Sequence, residues 1–298
     1  MESVLKLLSL MLALPMVMSD FTPHFRKFLS KSYGQEVEKS MMRSDMGGGM
    51  IGSFGGMEEG DVLRNQPVIF VHGVTLRAGV FVPHRAHFMK KGYNSYELFA
   101  TTYGDGGQTP MFSKDMRCED VVHIRDFIRA VSQYTNSTVD IIAYSMGVAI
   151  TRKALLGGNC VDTREYIGEP LTKLVDTFVA VAGVAYGLEK CPEYLHACNR
   201  VNGMACNSKY LRNVNAQPKR YEAKYTFELR STGDNVVGQD CCDHQCSELK
   251  YATGVSKFSI LDHGPILTLT KDIQLEMIRN HNVCDDCPLD GGIDRKYF

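Results

Sequence analysis

A serine stands between an apolar strand-like run and a helix-like stretch, in the pattern Ala143-x-Ser145-x-Gly147. The small residues on both sides permit a tight turn that raises the serine hydroxyl above the edge of a sheet. The same turn places the serine at a helix N-terminus, where backbone N–H groups face a developing negative charge. A serine in this position is typical of a nucleophile that attacks a carbonyl carbon, so Ser145 is the candidate nucleophile.

A serine nucleophile needs a general base, which in this arrangement follows the serine in the chain. His263 comes after the strand-like run Lys257–Leu261 and before a loop that leads into a helix, so it belongs at the carboxyl end of a strand. The other histidines after the serine lie in cysteine-rich stretches or at the tail of a helix: His196, His244 and His281. We therefore expect His263 to be the base, with a purely structural histidine as the alternative.

The base needs an acid that orients it, and the same edge of the sheet must supply it. Asp234 follows the strand-like run Tyr225–Arg230, whereas Asp176 lies near the start of its own strand and hence at the opposite edge. Asp262 adjoins His263, and adjacent side chains rarely face each other. Asp240 and Asp243 lie in a cysteine cluster. We expect Asp234 to be the acid, with an aspartate in a surface turn as the alternative.

The negative charge that forms on the carbonyl oxygen requires two hydrogen-bond donors. One is expected to be the backbone N–H of Met146, which follows the nucleophile. The other is expected from the loop after His72-Gly73, where Val74 is the candidate. His72 itself precedes the serine in the chain and is expected to order that loop.

The surrounding chain alternates between strand-like and helix-like patterns. An apolar stripe predicts a helix over Glu119–Tyr134, and a second helix extends from the serine to Gly157-Gly158. Strands that alternate with helices predict an α/β protein with a mainly parallel sheet flanked by helices. The expected strands are short apolar runs, buried on both faces: Val68–Val71, Glu97–Tyr103, Val139–Tyr144, Val175–Ala182, Tyr225–Leu229 and Phe258–Leu261.

The first 65 residues lack this alternation. Residues 1–19 combine a short charged start, an apolar run of about a dozen residues and small residues at its end, which predicts a cleaved secretory signal peptide. The apolar run is shorter than the roughly 20 residues that cross a bilayer, so a membrane anchor is the weaker alternative. Residues 20–65 are rich in glycine and methionine and are expected to form a flexible arm.

Ten cysteines favour an extracellular location, where disulfides persist. Cys118 and Cys160 flank neighbouring helices and are expected to pair. Two cysteine-rich stretches, Tyr186–Ala216 and Gly238–Gly254, are expected to be loop insertions held by disulfides. The alternative is zinc, because Cys241, Cys242, His244 and Cys246 cluster and Cys284 and Cys287 form a C-x-x-C. We expect no metal. The sequon Asn136-Ser137-Thr138 predicts glycosylation at Asn136.

The bulk composition is that of a globular protein: 298 residues, 44% hydrophobic, 22% charged and a formal net charge of −1. The near-neutral charge gives no reason to expect nucleic acid as a partner. No later stretch is apolar enough to span a membrane, and the mature protein is expected to be a secreted monomer.

Four stretches resemble the class 2 lipases: Pro67–Val74, Ala143–Val148, Ser231–Asp234 and Asp262–Leu267. Residues 97–104 and 176–187 are similar to the secreted nematode branch. The resemblance implies an α/β-hydrolase domain over residues 66–298 that hydrolyses lipid esters without a cofactor. It also implies the site that the residues indicate by themselves, with Ser145, Asp234 and His263 as the catalytic triad and Val74 and Met146 as oxyanion donors. Bacterial members have a histidine where this chain has Tyr144, so their substrate preference does not carry over.

The expected function is therefore that of a lipase that acts on acylglycerols or related lipid esters, including esters at a lipid–water interface. Two alternatives stay open. A secreted pseudo-hydrolase would bind a lipid or a partner without turnover, and an acyltransferase or thioesterase would use the same three residues.

Overall fold

The structure is a computed structural model that describes residues 20–292. Within these residues the chain forms a seven-stranded sheet. Its strands are Ser53–Phe54 (β1), Val68–Val71 (β2), Leu98–Thr101 (β3), Val139–Tyr144 (β4), Val175–Val181 (β5), Tyr225–Ser231 (β6) and Gly254–Phe258 (β7). The strand order across the sheet is β1-β3-β2-β4-β5-β6-β7, with β1 antiparallel to β3 and the other pairs parallel. This is the α/β architecture that the sequence predicts.

Eight α-helices surround the sheet within the described residues. They are Pro23–Tyr33 (α1), Gln35–Met42 (α2), Val82–Lys90 (α3), Cys118–Thr135 (α4), Met146–Leu156 (α5), Lys209–Asn215 (α6), His263–Leu269 (α7) and Lys271–Asn280 (α8). One apolar core joins the sheet to α1, α2, α4, α5 and α6, and the other joins it to α3, α7 and α8. Along β2, Ile69 and Val71 enter the first core, and Val68 and Phe70 enter the second.

The last strand differs from its prediction. β7 ends at Phe258, where the predicted run begins, and Ile260 lies outside the sheet with 62% of its surface exposed. As an edge strand, β7 needs apolar residues on fewer positions, and it includes the buried Ser256 and the exposed Lys257. Apolar content alone therefore located this strand too late in the chain.

Residues 20–65, which were expected to form a flexible arm, include packed helices and a short strand between residues 23 and 54. Helix α1 begins with Thr22 as its N-cap and buries Phe25 and Leu29 completely, and β1 pairs with β3. The glycines permit close packing instead of mobility: a Cβ on Gly56, where φ is +112°, would lie 2.6 Å from the Cβ of Phe25. The hydroxyl of Tyr134 accepts from the N–H of Met57 at 3.1 Å, which ties this segment to α4.

The cysteines of the described chain are all paired. The expected pair Cys118–Cys160 is confirmed. The cysteines that the zinc alternative would use as ligands are all in disulfides: Cys206–Cys242, Cys241–Cys246 and Cys284–Cys287. The remaining disulfide, Cys191–Cys198, lies within the first cysteine-rich insertion. The predicted signal peptide lies outside the described residues. None of the helices between residues 20 and 292 has both the length and the apolar character required to cross a bilayer.

A buried carboxyl in β6 makes the fold sensitive to pH. Burial raises the pKa of Glu228 to about 7, although the Leu249 N–H donates to it and Arg230 is paired with it. Because the folded pKa lies above the unfolded value, the native state is expected to lose stability as the pH rises from about 4.5 to about 7.

We expect Glu228→Gln to remove this loss. At pH 8 the variant should gain about 3 kcal/mol in free energy of unfolding relative to the unmodified protein, and the difference should shrink toward pH 4.5. Urea unfolding at both pH values measures it. A difference that does not change with pH would contradict the assignment to Glu228.

Candidate active site

Ser145 lies in the sharp turn between β4 and α5. Its backbone is at φ 56° and ψ −127°, which is unusual for a residue other than glycine and typical of strain held by its surroundings. The Ser145 N–H donates to the Val181 C=O at 3.0 Å, and its carbonyl accepts from the N–H of Val184 at 3.1 Å. Gly147 has no space for a side chain, since a Cβ there would lie 2.2 Å from the His72 carbonyl oxygen. The turn therefore requires the small residue that the sequence has.

The hydroxyl of Ser145 is hydrogen-bonded to an imidazole that is bonded in turn to a carboxylate. His263 Nε2 lies 3.0 Å from Ser145 Oγ, and His263 Nδ1 lies 2.8 Å from Asp234 Oδ2. With the proton on Nδ1 donated to the carboxylate, Nε2 is free to accept from the serine. The structure thus brings together the three side chains that the sequence selected, over separations of 118 and 29 residues.

The carboxylate of Asp234 is held on both of its oxygens. Oδ1 accepts the N–H of Val236 at 2.9 Å and that of Val237 at 3.0 Å, while Oδ2 faces His263. The residue follows β6 and is 4% exposed. These bonds fix the carboxylate toward the imidazole, which an aspartate in an exposed surface turn would not need.

His263 is the first residue of α7, so the loop that was expected between His263 and the next helix is not present, and Gly264 and Pro265 are already helical. Its N–H donates to Asp262 Oδ1 at 2.7 Å, so Asp262 is the N-cap of α7 and not the partner of the imidazole. The Tyr144 hydroxyl donates to the His263 carbonyl at 3.1 Å, and the two ring centroids are 4.9 Å apart. Sequence reasoning missed this second support of His263; its one signal was Tyr144 in place of the bacterial histidine.

The expected oxyanion donors lie together beside the serine. Val74 and Met146 line one small cavity, and Met146 is the first residue of α5, fully buried. Gly73, which lines the same cavity, packs so closely that a Cβ there would lie 2.9 Å from Ser145 Cβ. A loop that passes this near the serine is suited to present a backbone amide to a bound carbonyl oxygen.

His72 fixes the path of that loop. Its Nδ1 lies 2.7 Å from the Gly73 carbonyl, its Nε2 accepts the Tyr103 N–H at 3.1 Å, and the two rings stack at 4.2 Å. Burial lowers the pKa of His72 to about 3, so the ring is neutral, and the tautomer with the proton on Nδ1 satisfies both contacts. His72 orders the loop, as the sequence predicts.

The other histidines that follow Ser145 in the chain have partners outside the proposed triad. His281 binds Asp176 at 2.8 Å, at the opposite edge of the sheet, and His196 binds Asp115 at 3.0 Å. His244 stacks on Tyr186 with ring centroids 4.1 Å apart. Asn136 is exposed at the carboxyl end of α4, in the position that a glycosylation acceptor requires.

A mainly parallel sheet with a serine turn after its central strand, and with aspartate and histidine after its last two strands, defines the α/β-hydrolase fold. The sequence model of the class 2 lipase family, "Lipase (class 2)", matches residues 65–276. The chain belongs to this family of lipolytic hydrolases, as its sequence motifs predict.

Solved structures show the same fold at low sequence identity. The mature form of Bacillus licheniformis lipase BlEst2 is similar with a TM-score of 0.54 and 15% identity, over 76% of this chain and 97% of that one. Aspergillus fumigatus lipase B is similar with a TM-score of 0.50 and 16% identity, over 74% of this chain. This chain spans 55% of the fungal protein's length. A search of curated proteins finds no match.

Proposed function

We propose that this protein is a serine carboxylic ester hydrolase that cleaves lipid esters through an acyl-enzyme on Ser145. The observation that carries the proposal is the hydrogen-bonded chain from Asp234 through His263 to Ser145. Such a chain supplies a nucleophile, a base and an orienting acid, which together are what acyl transfer needs. Membership in the class 2 lipases supports a lipid ester as the substrate.

In the proposed mechanism Ser145 Oγ attacks the ester carbonyl carbon while His263 Nε2 takes the hydroxyl proton. The carbonyl oxygen gains the negative charge and is held by the N–H groups of Met146 and Val74. The tetrahedral intermediate then collapses, and the imidazolium gives its proton to the departing alcohol. A water molecule repeats the sequence on the acyl-enzyme and releases the acid. The scheme needs no cofactor.

A fluorophosphonate probe tests the proposal against the pseudo-hydrolase alternative, because it reacts with an activated serine and not with an ordinary one. We expect the protein to be labelled, the label to map to the peptide that contains Ser145, and p-nitrophenyl butyrate to be hydrolysed. A folded protein that takes no label and turns over no ester would contradict the proposal. Hydrolysis assays with and without an alcohol acceptor separate a hydrolase from an acyltransferase.

Two exposed apolar side chains belong to segments next to the proposed site. Ile260 packs beside the turn that carries Asp234, since a Cβ on Gly233 would lie 2.8 Å from Ile260 Cα. Phe112 is 57% exposed, between Thr109 and Lys114, which line the same small cavity as Met146. Exposed apolar groups around a lipase site favour contact with a lipid surface.

We therefore expect Ile260→Glu to weaken activity on emulsified tributyrin several-fold more than activity on dissolved p-nitrophenyl acetate. Val62→Glu is the matched control, because Val62 is 72% exposed and precedes β2, at the opposite edge of the sheet. Pressure-area measurements on a lipid monolayer would follow binding directly. Equal losses on both substrates, or an equal effect of the control, would contradict the lipid-contact role.

Secretion of the mature protein as a monomer, with a glycan on Asn136, completes the proposal. The disulfides and the exposed sequon support an extracellular location. A shift in mass of the secreted protein after glycosidase treatment, absent in Asn136→Gln, would test the glycan.

A further inference from the structure

A second, larger cavity lies beside the proposed site. It has a volume of about 710 Å³ and is formed by α2, the loop after β3 and the start of α4. Three of its lining residues, Asp105, Thr109 and Lys114, also line the small cavity of Val74 and Met146. This polar cavity is therefore the immediate neighbour of the expected oxyanion donors.

The lining of the polar cavity disfavours an acyl chain. Apart from Gly104, its lining residues carry polar or charged side chains. Covering these groups with hydrocarbon would remove them from water without replacement hydrogen bonds, which is costly. When an ester occupies the proposed site, the cavity is left for the part of the substrate that carries polar groups.

The charges of the polar cavity are largely neutralised within it. Arg43 binds Asp45 at 2.9 Å, and Lys114 binds Asp120 at 2.6 Å. The lining contains five acidic and four basic side chains, so it offers no excess of positive charge that would select a phosphate. This balance favours a neutral ligand that both donates and accepts hydrogen bonds.

One buried acceptor in the polar cavity has no partner within the described chain. Asp120 is 1% exposed, and its Oδ1 accepts no hydrogen bond, while its Oδ2 accepts from Lys114 Nζ. Gly104 packs against both groups: a Cβ there would lie 3.1 Å from Asp120 Oδ1 and 3.2 Å from Lys114 Nζ, so only a residue without a side chain fits beside the pair. A hydroxyl group fits this pair, since it can donate to the carboxylate and accept from the ammonium.

We propose that the polar cavity binds the free hydroxyls of the alcohol half of the substrate, so that the enzyme prefers esters of glycerol or a similar polyol over esters of simple alcohols. This inference rests on the proposed function and adds to it the class of alcohol that the substrate ester contains. Asp120 and Lys114 are then specificity-determining residues, because they contact the alcohol half and not the reacting carbonyl.

The test compares kcat/KM for glyceryl 1-monobutyrate and for ethyl butyrate, which share their acyl group. We expect a ratio well above one in the unmodified protein and a ratio about tenfold lower in Asp120→Asn, the effect of losing a hydrogen bond to a charged group. Asp126→Asn is the matched control, an acid-to-amide change on the same helix outside the cavity, and should leave the ratio unchanged.

If Asp120→Asn does not fold, the double variant Lys114→Met, Asp120→Leu replaces the buried pair by apolar groups and should show the same fall. An unmodified ratio near one, or a ratio unaltered in the folded variant, would overturn the inference while leaving the ester hydrolase in place. If no ester is cleaved, the proposed function fails by itself. In that case the affinities of the protein for 1-O-hexylglycerol and for hexan-1-ol, measured by calorimetry, test the role of the polar cavity. Equal affinities would overturn the inference. Tighter binding of 1-O-hexylglycerol that is lost in Asp120→Asn would support it.

Discussion

Ser145→Ala is expected to lower kcat for p-nitrophenyl butyrate by roughly 10⁴-fold or more, because it removes the atom that forms the acyl-enzyme. The remaining rate would come from the oxyanion donors and from substrate binding. Steady-state kinetics with active-site titration measure the change. The same variant should lose its reaction with the fluorophosphonate probe.

The structure indicates that this variant folds. Alanine keeps the Cβ, and the backbone bonds of residue 145 to Val181 and Val184 do not involve the hydroxyl. Ser132→Ala is a suitable control, since its hydroxyl donates to the Ser137 carbonyl at the carboxyl end of α4. Turnover above about one per cent of the original, in a preparation free of unmodified enzyme, would be incompatible with Ser145 as nucleophile.

Asp234→Asn is expected to lower kcat by about 10³–10⁴-fold with little change in the fold. The amide oxygen would keep the two bonds from Val236 and Val237, which leaves the NH₂ group facing His263 Nδ1. Nδ1 would then have to accept, the proton would move to Nε2, and the ring could no longer take the proton of Ser145. A pH–rate profile alongside the kinetics would register the altered base.

Asp262→Asn is the matched control for this change, one residue before the imidazole. Its side chain caps α7, and asparagine is as good a cap, so stability should change by less than about 1 kcal/mol and kcat should be retained. If Asp262→Asn were the more damaging of the two, the acid would have been assigned to the wrong aspartate.

The placement of the proposed site could be predicted because it follows from chain order and strand direction. Ser145, Asp234 and His263 each come after a strand, and parallel strands bring their carboxyl ends to one edge. The loop role of His72 was predictable for the same reason. Each of these inferences needs the end of a strand only to within a few residues. The sequence placed β7 a few residues too late, but His263 still follows the strand, so its assignment was not affected.

What the sequence did not disclose depends on contacts between distant segments. Helix α1 presents Phe25, Phe28 and Leu29 at helical spacing, but the glycine-rich stretch that follows concealed a packed segment. Gly56 is there because Phe25 approaches it, and composition alone cannot tell such a glycine from one in a linker. The polar cavity likewise combines α2 with the loop after β3, so no local pattern announces it.

The central claim is that the acyl group passes through Ser145. The most direct measurement is rapid acid quenching of the enzyme during turnover of a slowly deacylating ester, followed by peptide mass spectrometry. We expect a peptide containing Ser145 with the added mass of the acyl group, at close to one equivalent per protein. An acyl group found on another residue, or turnover at full rate with no adduct at Ser145, would contradict it.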